Sequence, residues 1–131
     1  MFRLDEKLEK HFLPFNESKG VSGKYCYWTI NENLNKCPIV LVTNDNKIYP
    51  VSKNIKQLLQ LMSYNNEIKI QGDTVSFSKG LKIEDEHSNL FVKLLKNKFK
   101  FNLIENDKEA KKIVKAANDK YSLKIKELGL D

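Results

Sequence analysis

The residues whose chemistry could support catalysis or metal binding are few in this chain of 131 residues. Two cysteines, Cys26 and Cys37, and two histidines, His11 and His87, are the most reactive candidates. A nucleophilic cysteine needs a nearby base held by an orienting group, and a zinc site needs closely spaced ligands. The histidines are far apart in the sequence, and neither lies at ligand spacing from a cysteine. We therefore predict no enzymatic activity, no bound metal and no cofactor.

Two other features resemble functional motifs but are better explained as local structure. Glu84, Asp85 and Glu86 form an acidic cluster, yet three adjacent side chains on a helix cannot converge on one centre. Acidic residues are favoured in the first turn of a helix, so the cluster indicates a helix start. The loop Gly20–Gly23 has the spacing of a KH-domain clamp, but here a strand follows where that domain has a helix. We interpret this loop as a turn.

The positive charge of the chain is moderate and comes almost entirely from lysine. The net charge is +6, and Arg3 is the only arginine. Because arginine is the preferred residue for bidentate phosphate and base contacts, nucleic-acid recognition is disfavoured. One lysine run has no acid within it: Lys93, Lys96, Lys98 and Lys100. A solvated helix face, a surface for an acidic protein and a lysine-rich nucleic-acid surface all stay open, as does stacking of bases on Trp28.

Length and composition predict one soluble domain spanning residues 1–131. This length can bury a substantial core, and no apolar run is long enough to cross a membrane. The first residues are charged and do not resemble a signal peptide, so we expect a cytoplasmic protein. In that compartment Cys26 and Cys37 are expected to be reduced, although a disulfide between neighbouring strands is conceivable.

The middle of the chain carries the clearest pattern, which reads as three strands followed by a helix. Tyr25–Ile30 alternates, Ile39–Thr43 is nearly continuously apolar, and Ile48–Val51 follows a short Asn-Asp-Asn turn. Pro50 indicates an edge strand or the end of pairing. A capping box precedes the helix Ile55–Met62. The alternation places three residues of the first strand on one face: Cys26, Trp28 and Ile30.

The flanking regions complete an α+β domain, in which a small, mostly antiparallel sheet has helices packed against it. The N-terminal residues predict a short amphipathic helix stopped by Pro14. Glu67–Ser78 predicts a hairpin around a Gly-Asp turn, and a second helix is expected from about Asp85. The last helix is capped by Asn106 and ends near Gly129.

The order of these elements resembles the SUKH superfamily, a group that includes a yeast cell-wall regulator and many bacterial immunity proteins. The matching residues are Tyr27-Trp28, Pro38-Ile39-Val40-Leu41, the turn Asn44–Lys47, Tyr49–Ser52, and Asn54-Ile55 with Leu58, Leu59 and Leu61. Two earlier segments resemble the family's lead-in: Phe12-Leu13-Pro14-Phe15 and Gly20–Gly23. The resemblance implies a SUKH-like fold and a module that binds another protein.

By this resemblance the function is non-enzymatic immunity, in which the protein binds and neutralises a cognate toxin in the cytoplasm. Loops on a rigid sheet can vary without cost to the core, so they are the candidate binding surface. The loop before Pro38 offers Asn31, Glu32, Asn33 and Asn35, and the following turn offers Asp45, Asn46 and Lys47. A nucleic-acid-binding regulator and a housekeeping scaffold without a toxin partner are the alternatives. The basic charge argues against inhibition by phosphate mimicry.

Overall fold

The computed structural model describes residues 6–64, 68–77, 104 and 106–128. The elements are α1 (Glu6–Glu9), β1 (Phe12–Glu17), β2 (Gly23–Trp28), a 3₁₀ helix (Leu34–Lys36), β3 (Ile39–Thr43), β4 (Ile48–Ser52), α2 (Ile55–Tyr64), β5 (Lys69–Gln71), β6 (Thr74–Ser76) and α3 (Asp107–Glu127). The predicted α+β class is confirmed. The helix expected from about Asp85, the lysine run and His87 lie outside the described residues. None of the described helices combines the length and apolar character needed to cross a membrane.

The main sheet is an antiparallel meander with the strand order β1-β2-β3-β4. As predicted, β3 is central: Tyr25 in β2 pairs with Leu41, which pairs in turn with Tyr49 in β4. All five residues of β3 are buried because both faces of the sheet are covered. An uninterrupted apolar strand is what such two-sided burial requires.

The N-terminal segment differs from the prediction, because the described helix is only one turn long and β1 follows it. The expected helix ran through Phe12 to Pro14, but Phe12 instead pairs with Trp28 at the edge of the sheet. The carbonyl of His11 accepts a hydrogen bond from the Thr29 backbone N–H at 2.9 Å, which extends this pairing. Pairing with an exposed strand edge and burial of the Phe12 ring therefore override the helical spacing of the segment.

Each outer strand of the meander contains one proline, at a position where the absence of a backbone N–H removes no hydrogen bond between the strands. Paired residues in antiparallel strands alternate between hydrogen-bonded and non-hydrogen-bonded positions. The bond from the Thr29 N–H shows that His11 and Thr29 form a hydrogen-bonded pair. Pro14 lies three pairs further along β1, so it occupies a non-hydrogen-bonded position and the Pro14 nitrogen points away from β2. The bond from Thr43 to Lys47 places Pro50 in the same way relative to β3. Pro50 thus lies in an edge strand, as the presence of a proline in this segment predicted.

Helix α2 begins at the predicted cap and buries its apolar stripe on the sheet. The Asn54 side chain accepts a hydrogen bond from the Gln57 backbone N–H at 2.9 Å. The Gln57 side chain reaches back to the N–H of Lys53 at 3.0 Å, one residue earlier than in a standard capping box. Leu58 and Leu61 are fully buried, so the stripe faces inward as the spacing predicted.

Two hydrophobic clusters cover the opposite faces of the sheet, and α3 contributes to both. The first cluster comprises Tyr25, Ile39, Leu41, Tyr49, Val51, Leu58, Leu61, Ile68, Val75, Phe77, Ala110 and Val114. The second cluster comprises Leu8, Phe12, Cys26, Trp28, Val40, Val42, Ala117, Tyr121 and Ile125. The first half of α3 therefore packs on one face and its second half on the other. The N-terminus of α3 is capped as predicted, because the Asn106 side chain accepts the N–H of Glu109 at 3.0 Å.

Strands β5 and β6 form the predicted hairpin around Gly72 and Asp73. Gly72 has a φ of 62°, a left-handed conformation that suits glycine in such a turn. The N–H of Ile68, just before the hairpin, donates to the carbonyl of Lys19 at 2.9 Å. This bond ties the hairpin to the loop between β1 and β2.

The hydroxyl of Tyr25 supports a stability prediction. Tyr25 is 1% exposed, its hydroxyl has no hydrogen-bond partner within the described part of the chain, and burial raises its pKa well above the ordinary value. A buried polar group without a partner costs about 1–3 kcal/mol. We expect Tyr25→Phe to raise the free energy of unfolding by about 1 kcal/mol, measured by urea denaturation followed by circular dichroism.

Tyr64→Phe is the matched control for this prediction. It removes a hydroxyl that donates to the Asp107 carboxylate, so it should lower rather than raise the stability. A loss of stability in Tyr25→Phe would show that the buried hydroxyl makes a hydrogen bond that matters.

Candidate functional site

The seven residues predicted to bind a partner lie in two groups at opposite ends of the sheet. The loop between β2 and β3 leaves the end where Tyr27 pairs with Ile39, and the turn between β3 and β4 lies where Gly23 pairs with Thr43. A five-residue strand separates these ends by about 17 Å. Asn31, Glu32, Asn33 and Asn35 therefore do not share one compact surface with Asp45, Asn46 and Lys47.

Every residue of the β2–β3 loop from 29 to 36 is exposed, yet the loop is held by its own hydrogen bonds. The Asn31 side chain accepts the backbone N–H of Asn33 at 2.9 Å, and the Asn33 side chain accepts the N–H of Asn35 at 3.0 Å. The second bond caps the 3₁₀ helix Leu34–Lys36. Asparagine readily replaces backbone partners in this way, so the sequence itself stabilises one loop conformation.

Cys37 fixes the same loop from the inside. Its thiol lies 3.2 Å from the carbonyl oxygen of Asn31 and 3.6 Å from that of Asn33, and its single S–H can donate to either. The Cys37 side chain is completely buried, so this contact anchors the exposed loop to the body of the protein. The sequence analysis considered Cys37 only as a reduced thiol or a disulfide partner of Cys26 and missed this role, which depends on the loop backbone.

Two large apolar side chains are exposed within this polar loop. Ile30 is 54% exposed and Leu34 is 39% exposed. The polar side chains around them are also exposed: Asn31, Glu32, Asn33 and Asn35. Apolar side chains surrounded by a polar rim are the usual composition of a protein-binding surface.

The placement of Ile30 corrects the sequence interpretation, which put it with Cys26 and Trp28 on one face of a strand that continues to residue 30. Strand β2 ends at Trp28, and the Ile30 N–H turns back to the Trp28 carbonyl at 2.8 Å. The alternation therefore stops two residues earlier than expected, and Ile30 is released to the surface. Both Ile30 and Leu34 were missed as candidate binding residues.

Comparisons with protein-family models, curated proteins and solved structures give no match.

The turn at the other end of the sheet is organised around Thr43. Its backbone N–H donates to the Lys47 carbonyl at 2.9 Å, and its hydroxyl donates to the Asp45 carboxylate. This hydroxyl contact is the main cause that lowers the pKa of Asp45, and the Lys47 charge lowers it further. The Lys47 ammonium lies 3.8 Å from the carboxylate, but both side chains are 66% exposed, so the ion pair adds little stability.

A polar depression of about 420 Å³ lies beside this turn. It is lined by the β1–β2 loop, including Ser18 and Ser22, and by Asn44. The Asn44 N–H donates to the Ser22 carbonyl at 3.1 Å, and the Ser18 hydroxyl donates to the Val21 carbonyl at 2.5 Å. The first bond joins the two loops and the second lies within the β1–β2 loop, and among the described residues no large exposed apolar side chain lines this depression.

Neither cysteine is exposed to solvent. Cys26 and Cys37 are both free and buried, and burial raises the pKa of the Cys26 thiol to about 12. A thiol of that pKa is almost entirely protonated at neutral pH and is a poor nucleophile. Across residues 6–64, 68–77, 104 and 106–128, no three His, Cys, Asp or Glu side chains form a group that could hold a metal ion.

Trp28 is buried rather than available to stack on a base. It is 4% exposed, and its ring packs against Phe12 at a centroid distance of 6.1 Å and edge-on against Tyr121 at 5.8 Å. Aromatic rings that stack on single strands must present a face to solvent. The base-stacking interpretation of Trp28 is therefore wrong, and the residue belongs to the core.

Proposed function

We propose that this protein has no catalytic activity and acts by binding another protein through the loop of residues 29–36. The observation that carries the proposal is the exposure of Ile30 and Leu34 on a loop that is held in one conformation by the Asn31, Asn33 and Cys37 contacts. A loop ordered before binding loses little conformational entropy when a partner docks. Exposed apolar anchors inside a polar rim contribute most of the energy in such interfaces.

The proposed partner is a cognate toxin, and the proposed role is cytoplasmic immunity. The support is the resemblance to the SUKH superfamily, together with a meander in which α2 follows β4 directly, as that resemblance implies. Binding would neutralise the toxin by covering its active site or a neighbouring surface. The chain carries a net charge of +6, so the occlusion would not depend on imitating the phosphates of a nucleic-acid substrate.

The two alternatives are a housekeeping scaffold with the same fold and a lysine-rich nucleic-acid-binding regulator. One observation favours the second alternative: the exposed surface of α3 carries several lysines, among them Lys108, Lys111, Lys112 and Lys115. These side chains are point charges without the forked geometry of arginine, so they favour non-specific attraction over recognition.

The proposal is tested with the full chain and a double variant, Ile30→Asp with Leu34→Asp. We expect the wild-type protein to recover a toxin domain from its native host and to protect a bacterial strain that expresses this domain. In the double variant, binding should weaken at least a hundredfold and protection should fail, because both apolar anchors are replaced by charged groups. Since both residues are exposed, the melting temperature should change by no more than about 2 °C.

Asp45→Lys is the matched control, because it changes a charge in the turn at the other end of the sheet and should leave protection intact. Glu32→Lys alters the polar rim and should weaken binding by a smaller factor than the double variant. If the double variant still protects, the loop is not the binding surface. If the chain retains only nucleic acid, in a salt-sensitive manner, the regulator alternative is correct instead.

A further inference from the structure

A groove of about 370 Å³ runs between strand β6 and helix α3, on a different part of the molecule from the loop of residues 29–36. Its floor is apolar and consists of Val75, Phe77 and Val114, all members of the first hydrophobic cluster. Hydroxyl and amide side chains border this floor, including Thr74 and Ser76 on the β6 side. The groove therefore combines an apolar base with polar walls, as peptide-binding clefts do.

The charged groups on the helix side of the groove are arranged for an acidic ligand. Lys111 and Lys115 both line it, and both side chains are exposed. Positions four residues apart on a helix lie on the same side and are separated by about 6 Å along its axis. Asp107 lies at the start of α3, where its carboxylate accepts a hydrogen bond from the Tyr64 hydroxyl.

The opposite wall offers backbone hydrogen-bonding groups. Gln71 and Thr74 pair across the two-residue turn of the hairpin, and Ile70 pairs with Val75. Since hydrogen-bonded and non-hydrogen-bonded pairs alternate, the N–H and C=O of Val75 point away from β5, along the edge that borders the groove. In the described part of the chain, β5 is the one strand paired with β6.

We propose that this groove binds an extended, acidic segment of a protein partner. In an extended chain, residues i and i+2 point to the same side and are about 6.6 Å apart, close to the spacing of Lys111 and Lys115 along α3. Acidic side chains at i and i+2 would therefore each meet one lysine. The residue between them faces the opposite side, and the segment backbone lies beside the edge at Val75.

The uncharged wall of the groove, the β6 edge at Val75, favours a peptide ligand over a nucleic acid. The N–H and C=O of Val75, which point away from β5, are complemented by a peptide backbone, whereas a sugar-phosphate backbone offers no N–H donors. The inference does not depend on the loop of residues 29–36, because the two surfaces share no residue. Either one can fail without affecting the other.

The experiment measures binding of three fluorescein-labelled, seven-residue probes to the full chain by fluorescence anisotropy. The first probe carries glutamates at alternate positions between valine and threonine, the second has the same composition with adjacent glutamates, and the third is oligothymidylate. We expect the alternating peptide to bind most tightly. Charge reversal by Lys111→Glu with Lys115→Glu should weaken its binding at least tenfold.

Lys112→Glu with Lys124→Glu is the matched control, because it makes the same change in net charge at exposed positions of α3 outside the groove. This control should leave the affinity within about twofold once salt screens long-range attraction. Amide chemical shifts of Thr74, Ser76 and Asn118 should move when the peptide is added. An equal loss of affinity in both double variants, or tighter binding of oligothymidylate than of the peptide, would overturn the proposal.

Discussion

Replacement of Trp28 by alanine is expected to lower the free energy of unfolding by about 3–5 kcal/mol. The side chain is 4% exposed and joins three elements, since it packs on Phe12 of β1 and Tyr121 of α3 from its position in β2. Its removal would leave a large cavity within the second hydrophobic cluster. Because a domain of this kind has a total stability of only about 5–15 kcal/mol, the variant should be close to unfolding at 37 °C.

The measurement is urea denaturation followed by circular dichroism at 222 nm, since Trp28 is the only tryptophan and its loss removes the fluorescence probe. Trp28→Phe retains an aromatic ring and should lose much less stability than the alanine variant. A loss below about 1 kcal/mol in Trp28→Ala would mean that the side chain is not packed between β1 and α3.

Replacement of Gly23 by alanine should also be strongly destabilising, for a different physical reason. An added Cβ would lie 2.7 Å from the carbonyl oxygen of Val42 and 3.2 Å from the Cα of Thr43. Both neighbours belong to the backbone of β3 and cannot rotate away, so β2 would have to move. We expect the free energy of unfolding to fall by about 3 kcal/mol, at the upper end of the usual cost of overpacking. The measurement is thermal unfolding, in which the midpoint should be lower than that of the wild type.

Gly72→Ala provides the comparison. No atom lies within 4 Å of the added Cβ at this position, but the φ of 62° costs an L-residue about 1–2 kcal/mol. The Gly72 variant should therefore be the more stable of the two. If the order is reversed, crowding against β3 is not the reason for glycine at position 23.

Much of the fold could be predicted because local signals agree with the tertiary arrangement. The apolar run Ile39–Thr43, the cap at Asn54 and the stripe from Ala110 to Tyr121 each specify one element, and the structure shows all three as expected. Strand β1 could not be predicted in this way. The helical spacing that precedes it runs up to Phe12, Pro14 lies within it, and only pairing with β2 decides where the strand begins.

The candidate site was predicted only in part. The exposure of Asn31 and Asp45 followed from their polar neighbourhoods, but their separation follows from strand direction. Successive connections of an antiparallel meander lie at opposite ends of the sheet, and this rule was a usable signal. The exposure of Ile30 depends on where β2 ends, and the anchoring by Cys37 depends on the path of the loop. Neither can be read from residue types.

The positions of Pro14 and Pro50 limit the width of the sheet. A β-sheet grows when an incoming strand meets a continuous row of N–H donors and C=O acceptors, as in cross-β fibrils. Here the row on each outer strand is interrupted by a residue that has no donor to offer. An additional strand at either side would leave one of its own carbonyls unpaired, so each proline disfavours further pairing at its edge of the four described strands.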